Sequence, residues 1–203
     1  MIGNKDGKPA CAGAKEYRRT GFMRVWVKVF AAVLVLGLPM AAPVVAQDLT
    51  KEQIEAEVLA GTRGAVTRLP LPRYVSLKTS EGNARRGPGL THRIDWVFTR
   101  AGMPLRITAE YENWRRIEDA EGAGGWVHYS LLSGTRSALV SDAVLDLRAQ
   151  PMAEAAVVLH AEAGVIARVL ECRAEWCRLS VEGERGWAIK TAFWGVRPDE
   201  IFD

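Results

Sequence analysis

The feature that most constrains this chain is that its second half repeats its first. Asn83-Ala84-Arg85-Arg86-Gly87-Pro88 corresponds to Asp146-Leu147-Arg148-Ala149-Gln150-Pro151 at an offset of 63. Gly102, Ile107, Trp114 and Ile117 correspond to Gly164, Val169, Trp176 and Leu179 at an offset of 62. Gly125-Trp126 corresponds to Gly186-Trp187, and Leu132-Ser133-Gly134 to Phe193-Trp194-Gly195, at an offset of 61. The offset drifts only in polar or Gly-rich turns. A period near 62 is longer than a solenoid repeat and matches one small self-contained domain. The expected units are 72–135 and 136–203.

Each unit reads as all-β. Leu105, Ile107 and Ala109 alternate with polar residues, as a half-buried strand does. Trp114 to Asp119 gives a second strand with Ile117 on its apolar side, and the second unit repeats the pair as Val165–Leu170 and Trp176–Val181. Turn residues at Gly102, Glu112-Asn113, Gly122 to Gly125 and Gly183 break these runs with the rhythm of a small barrel or sandwich. Met152 to His160 has some helical character, but it aligns with Gly89 to Phe98 and is read as strand. The connector, 47–71, carries a short helical pattern from Gln47 to Leu59. Ile54, Val58 and Leu59 share one face, and Thr50 is placed to cap the N-terminus. Gly61, Gly64, Pro70 and Pro72 end it. It is either a helix packed on the first unit or a tether.

The N-terminus, 1–46, reads as an export signal. Arg18, Arg19, Arg24 and Lys28 precede an uncharged apolar run from Val29 to Leu38, Pro39 breaks it, and Val44-Val45-Ala46 offers a cleavage site before Gln47. Met23 gives a conventional start, which would leave 1–22 either untranslated or disordered. About ten apolar residues are too few to span a bilayer; the competing reading is an uncleaved anchor from Val29 to Val45. Charge follows this division. Residues 1–46 hold seven of the 27 Lys and Arg but two of the 24 Asp and Glu, which leaves 20 basic against 22 acidic side chains, a net of −2, in 47–203. That balance lacks the basic footprint of nucleic-acid binding. Within it, Arg85-Arg86 and Arg115-Arg116 form a local cluster, read as a solvated surface against the alternative of an anionic partner.

Cys11 precedes the apolar run, so Cys172 and Cys177 remain as a pair in an exported protein, which favours a disulfide across a tight hairpin. Half of a zinc site is the rival, but no second Cys pair exists.

Asn83, Arg85, Gly87, Pro88 and Gly125-Trp126 resemble the bacterial SH3-like domain family, whose pattern runs Asn-x-Arg-x-Gly-Pro and closes on Gly-Trp. Asp146, Leu147, Arg148, Pro151 and Gly186-Trp187 repeat it, with Gln150 in place of the Gly. The resemblance covers about 73–203 and implies two tandem SH3-like β-barrels, as in exported two-module proteins of this kind. The residues support it physically. Asn83 and Asp146 suit turn caps, Gly87 a backbone angle other residues avoid, and Pro88 and Pro151 fixed turns. Arg85 and Arg148 are placed to pin the following loop through its carbonyls. Trp114, Trp126, Trp176 and Trp187 bring the apolar surface that a domain this small needs.

The resemblance further implies a groove lined by aromatics that takes cell-wall peptides or other proteins. Trp96, Tyr111, Tyr129 and Trp194 are the candidates, against the alternative that they pack in cores or between modules. Catalysis is not expected. His92, His128 and His160 are scattered, no metal or nucleophile motif appears, and Glu118 and Asp119 are adjacent on one strand and so point apart. No cofactor or metal is expected. The expectation is a non-catalytic periplasmic or secreted protein binding peptidoglycan or an envelope protein. Its rivals are an accessory or signalling component with a protein partner only, and a cell-wall hydrolase.

Overall fold

The computed structural model describes residues 49–203. The expected export signal, its start at Met23, its cleavage after Ala46, and Cys11 lie outside the described residues. Residues 51–59 form the single α-helix among those described, α1 (Lys51–Leu59). Thr50 caps it, and Gln53 returns the bond in a capping box. No residue of this helix is buried, and Leu59 is largely exposed.

Fourteen strands follow in two groups of seven. The first comprises β1 (Arg73–Leu77), β2 (Gly82–Arg85), β3 (Ile94–Phe98), β4 (Pro104–Tyr111), β5 (Trp114–Glu118), β6 (Gly124–His128) and β7 (Leu132–Ser133). The second comprises β8 (Ser137–Val140), β9 (Val144–Arg148), β10 (Val157–Glu162), β11 (Ile166–Cys172), β12 (Trp176–Val181), β13 (Glu184–Ile189) and β14 (Phe193–Trp194). The strand orders are β3-β2-β6-β5-β4-β1-β7 and β10-β9-β13-β12-β11-β8-β14. Adding seven to each label of the first gives the second, so the sequence repeat is a structural one.

Each antiparallel sheet curls around its own core. Leu77, Ala84, Phe98, Leu105, Ile107, Ile117 and Val127 fill the first. Leu145, Leu147, Val169, Leu179 and Phe193 lead the second. β-Bulges recur at matching places, between Ile107 and Ala109 and between Val169 and Glu171, and bend the strands so that so small a sheet can wrap around a core. They also shift the phase of alternation. Leu105 and Ile107 face the core, but past the bulge Ala109 turns outward and Glu110 turns in.

The bulge therefore points Glu110 and Cys172 at equivalent interior positions, and their cross-strand partners are Arg115 and Cys177. The two modules close the same hairpin with different chemistry: Glu110 and Arg115 are an ion pair at 3.4 Å, whereas Cys172 and Cys177 form a disulfide. Each pair also holds a flanking segment. Glu110 accepts from the amides of Val66 (3.0 Å) and Thr67 (2.8 Å), the Thr67 hydroxyl (2.7 Å) and Arg73 (2.6 Å), so the connector is tied to the first module. The Cys172 backbone exchanges hydrogen bonds with Phe202 at 2.7 and 3.0 Å, which ties down the tail. A disulfide spanning so short a loop is expected to contribute about 2 kcal/mol. Urea denaturation of the C172A/C177A double variant should show that loss. Free thiols found in denatured, unreduced 47–203 would contradict the bridge.

Two sequence expectations change. Residues 149–156 are a tight loop, closed by Ala149 N–H to Ala156 O at 2.9 Å, and β10 starts only at Val157. Pro151 at the head of this loop denies the sheet a donor. Asp119 lies past the end of β5 rather than on it. Its carboxylate accepts from the amides of Glu121 (3.1 Å) and Ala123 (2.7 Å) and organises the β5–β6 turn.

The modules dock directly. Tyr74 of β1 meets Trp194 of β14 edge-on at 5.0 Å, and Arg136 lies over the Tyr74 ring at 5.8 Å while bonding Glu200. Arg100 donates to the Gly164 carbonyl at 2.7 Å.

Candidate functional site

Residues directly opposite each other in an antiparallel pair share a face of the sheet. On the outer face of the first module the register places Arg85 opposite Trp126, and Trp126 opposite Arg116. The second module repeats this row as Arg148, Trp187 and Arg178. One arginine of each row is structural. Arg85 donates to the carbonyls of Leu90 (3.0 Å) and His92 (2.7 Å), and Arg148 to that of Ala155 (2.9 Å). The guanidinium of the other arginine, Arg116 or Arg178, has no hydrogen-bond or ion-pair partner among the described residues.

In the first module this row opens into a cleft of about 380 Å³. Arg86, Asp95, Arg116, Glu118 and Trp126 line it, and Gly124 and Gly125 form a floor without side chains. Gly125 is obligatory: its φ is +152°, and a Cβ there would lie 2.6 Å from the Arg85 carbonyl oxygen. Asp95 takes hydrogen bonds from Arg86 (3.1 Å) and Arg93 (2.6 Å), which hold its carboxyl below the usual range, so it stays ionised. Glu118 is occupied by Arg106 at 2.7 Å. Positive charge is therefore in excess, with Arg116 exposed and free. The cleft can take a carboxylate on Arg116 and a flat apolar group against the partly buried Trp126. In the second module Trp187 is buried and Arg173 covers it at 4.6 Å, so the matching surface is closed.

The four aromatics expected to line a groove do not converge. Trp96 is exposed on β3, with Phe98 at 6.4 Å. Tyr111 and Tyr129 are exposed at the end of the first module where β4, β5 and β6 meet, Tyr129 against His128 at 4.9 Å. Trp194 is half-buried at the seam between modules. The expected turn residues also act differently from expectation. Asn83 and Asp146 sit within β2 and β9 rather than capping turns, and Asp146 serves Arg148 (3.2 Å) and His160 (2.8 Å). Gly87 has no positive φ, and a Cβ there would meet only the ring of the exposed His92, at 2.7 Å, which that side chain can relieve by moving. Pro88 and Pro151 stand in the loops that Arg85 and Arg148 pin.

Sequence reasoning found Arg85, Arg148 and both Gly-Trp pairs, but not Arg116 and Arg178 as members of the same rows. Their common spacing of 62 was the available signal.

The bacterial SH3 domain family matches this chain twice, at residues 78–134 and 142–195, which together are more than half of it. This chain belongs to the bacterial SH3 domain family. The two matched segments fall on the two sheets, one SH3 module each. No curated protein matches the chain. Among solved structures it is similar to NlpC2 from Trichomonas vaginalis, at 13% identity over 62% of this chain and 48% of that one, with a TM-score of 0.30. NlpC1 from the same organism gives 14% identity over 66% and 49%, with a TM-score of 0.30. An NlpC/P60 family protein from Bacillus cereus gives 11% over 61% and 56%, with a TM-score of 0.28. The chain spans about half the length of each of these.

Proposed function

We propose that this protein is an exported, non-catalytic binding protein of the cell envelope whose first SH3 module holds peptidoglycan in the cleft beside Trp126. The observation that carries the reading is the pairing of the unpaired Arg116 guanidinium with the partly buried Trp126 ring in one cleft over a glycine floor. Peptidoglycan offers sugar rings that stack on an aromatic face and short peptides that bear free carboxylates. The charged flank and apolar run ahead of Gln47 support export, and a disulfide is at home in an oxidising compartment. Among the described residues no three His, Cys, Asp or Glu side chains converge on a metal-binding arrangement.

The test is retention of the mature protein on purified sacculi. Wild type is expected to co-sediment, and R116A to bind about tenfold more weakly, the loss of one charge-assisted hydrogen bond. Circular dichroism should show R116A folded, because that side chain is exposed. Retention unchanged by R116A would reject the cleft. A clean flow-through of wild type would favour an envelope protein as partner. Loss of sacculus turbidity would mean a hydrolase.

A further inference from the structure

The two modules differ sharply one row further along their outer faces. In the first, Arg106 lies opposite Glu118, and Glu118 opposite Gly124. In the second, Arg168 lies opposite Ser180, and Ser180 opposite Arg185. Glu118 neutralises Arg106 directly, at 2.7 Å. Ser180 cannot do this for Arg168, and Arg185 replaces a glycine with a second cation. Arg178 stands two residues from Ser180 on β12 and therefore points to the same side.

Three guanidinium groups thus share one face. None of Arg168, Arg178 and Arg185 has an ion-pair or hydrogen-bond partner among the described residues. They line an open hollow of about 500 Å³ with Leu170, Glu171 and Asp203. Glu171 is engaged by Arg173 at 2.9 Å, which leaves Asp203 as the one lining carboxylate without a partner among the described residues. Arg168 and Arg185 flank β12 from either side, so their backbones are roughly 10 Å apart, two strand spacings. Three positive charges around one hollow exceed what a single carboxylate balances and suit a ligand with two or more anionic groups. Guanidinium groups bind phosphate oxygens in pairs, and a row of them favours phosphate over a lone carboxylate.

We propose that the Arg168–Arg178–Arg185 face of the second module is a binding site for a ligand bearing two or more phosphate groups, distinct from the cleft of the first module. Duplication produced two copies of one surface; Glu118 quenches it in one, and the Ser180 and Arg185 positions open it in the other. Either a soluble polyphosphate or the phosphates of lipid head groups supply this chemistry.

Titration calorimetry of the full chain with sodium tripolyphosphate tests the site, beside sedimentation with vesicles of phosphatidylglycerol and phosphatidylcholine. Wild type is expected to bind at least one of them, with affinity falling steeply as salt rises from about 50 to 200 mM. Binding to tripolyphosphate alone identifies a soluble ligand, and binding to vesicles identifies the membrane surface. The S180E variant installs the first module's own carboxylate and is expected to weaken binding about tenfold or more. A second variant, R168Q/R185Q, should do the same without adding a negative charge. S180E should leave retention on sacculi unchanged, which separates this site from the proposed peptidoglycan cleft. Binding of neither probe by wild type, or equal binding by wild type and both variants, overturns the proposal.

Discussion

Replacing Glu110 with alanine is expected to cost the folded protein about 3 kcal/mol and to release the connector from the first module. The Glu110 side chain is fully buried, and Arg73 and Arg115 are nearly so. Removing the carboxylate strands two buried guanidinium groups, and breaking a buried pair in this way typically costs about 3–5 kcal/mol. It also orphans the amides of Val66 and Thr67. Urea denaturation reads the first effect. Limited trypsinolysis at Arg63 and Arg68 reads the second, because both flank the loop that Glu110 holds. A loss below about 1 kcal/mol, with no new cleavage, would show that the carboxylate is not the anchor.

The same residue gives stability a defined pH dependence. Burial raises the Glu110 pKa, but the backbone and hydroxyl hydrogen bonds of Thr67 and the Arg73 guanidinium outweigh it and bring the value from 4.5 to about 2. The folded state thus prefers the ionised form. Its contribution is complete above pH 4.5 and is lost as pH falls from there towards 2. The shift sets a ceiling of about 3 kcal/mol on that contribution. The E110Q variant should be less stable at neutral pH and should lose that part of the acid slope. Glu200, also lowered once Arg136 overcomes its burial, continues to supply a slope of the same sign.

Gly125→Ala is expected to destabilise the first module by about 3 kcal/mol and to abolish retention on sacculi. The backbone there has a φ of +152°, which an L side chain rarely adopts, at a cost of about 1–3 kcal/mol. The added Cβ would also lie 2.6 Å from the Arg85 carbonyl, which belongs to the adjacent strand and cannot swing aside as a side chain can. Relief of that contact moves Arg85, whose guanidinium holds the loop carbonyls of Leu90 and His92, so the cleft loses its wall. Gly134→Ala is the control, since a Cβ there meets nothing within 4 Å, and its effect should stay within about 0.5 kcal/mol. Equal melting of the two variants would refute the argument.

The repeat, the all-β character of each unit, the Gly-Trp pairs and the cystine were determined by the sequence alone. Each is local or periodic: it depends on residues close in the chain, or on one spacing applied twice. The interior place of Glu110 depended on the tertiary structure. A single extra residue in β4 reverses which side chains face inward, and besides Arg115 the groups that then bond the carboxylate come from 37 to 44 positions away. The same holds for the rows of Arg85, Trp126 and Arg116 and of Arg168, Ser180 and Arg185. Each joins neighbouring strands, and only the register decides which residues stand side by side. Trp194 reads in sequence as a candidate ligand contact, but docking of the modules sets it against Tyr74. Alternation along a strand is written in the order of residues; the partner across the strand is set only when the sheet has closed.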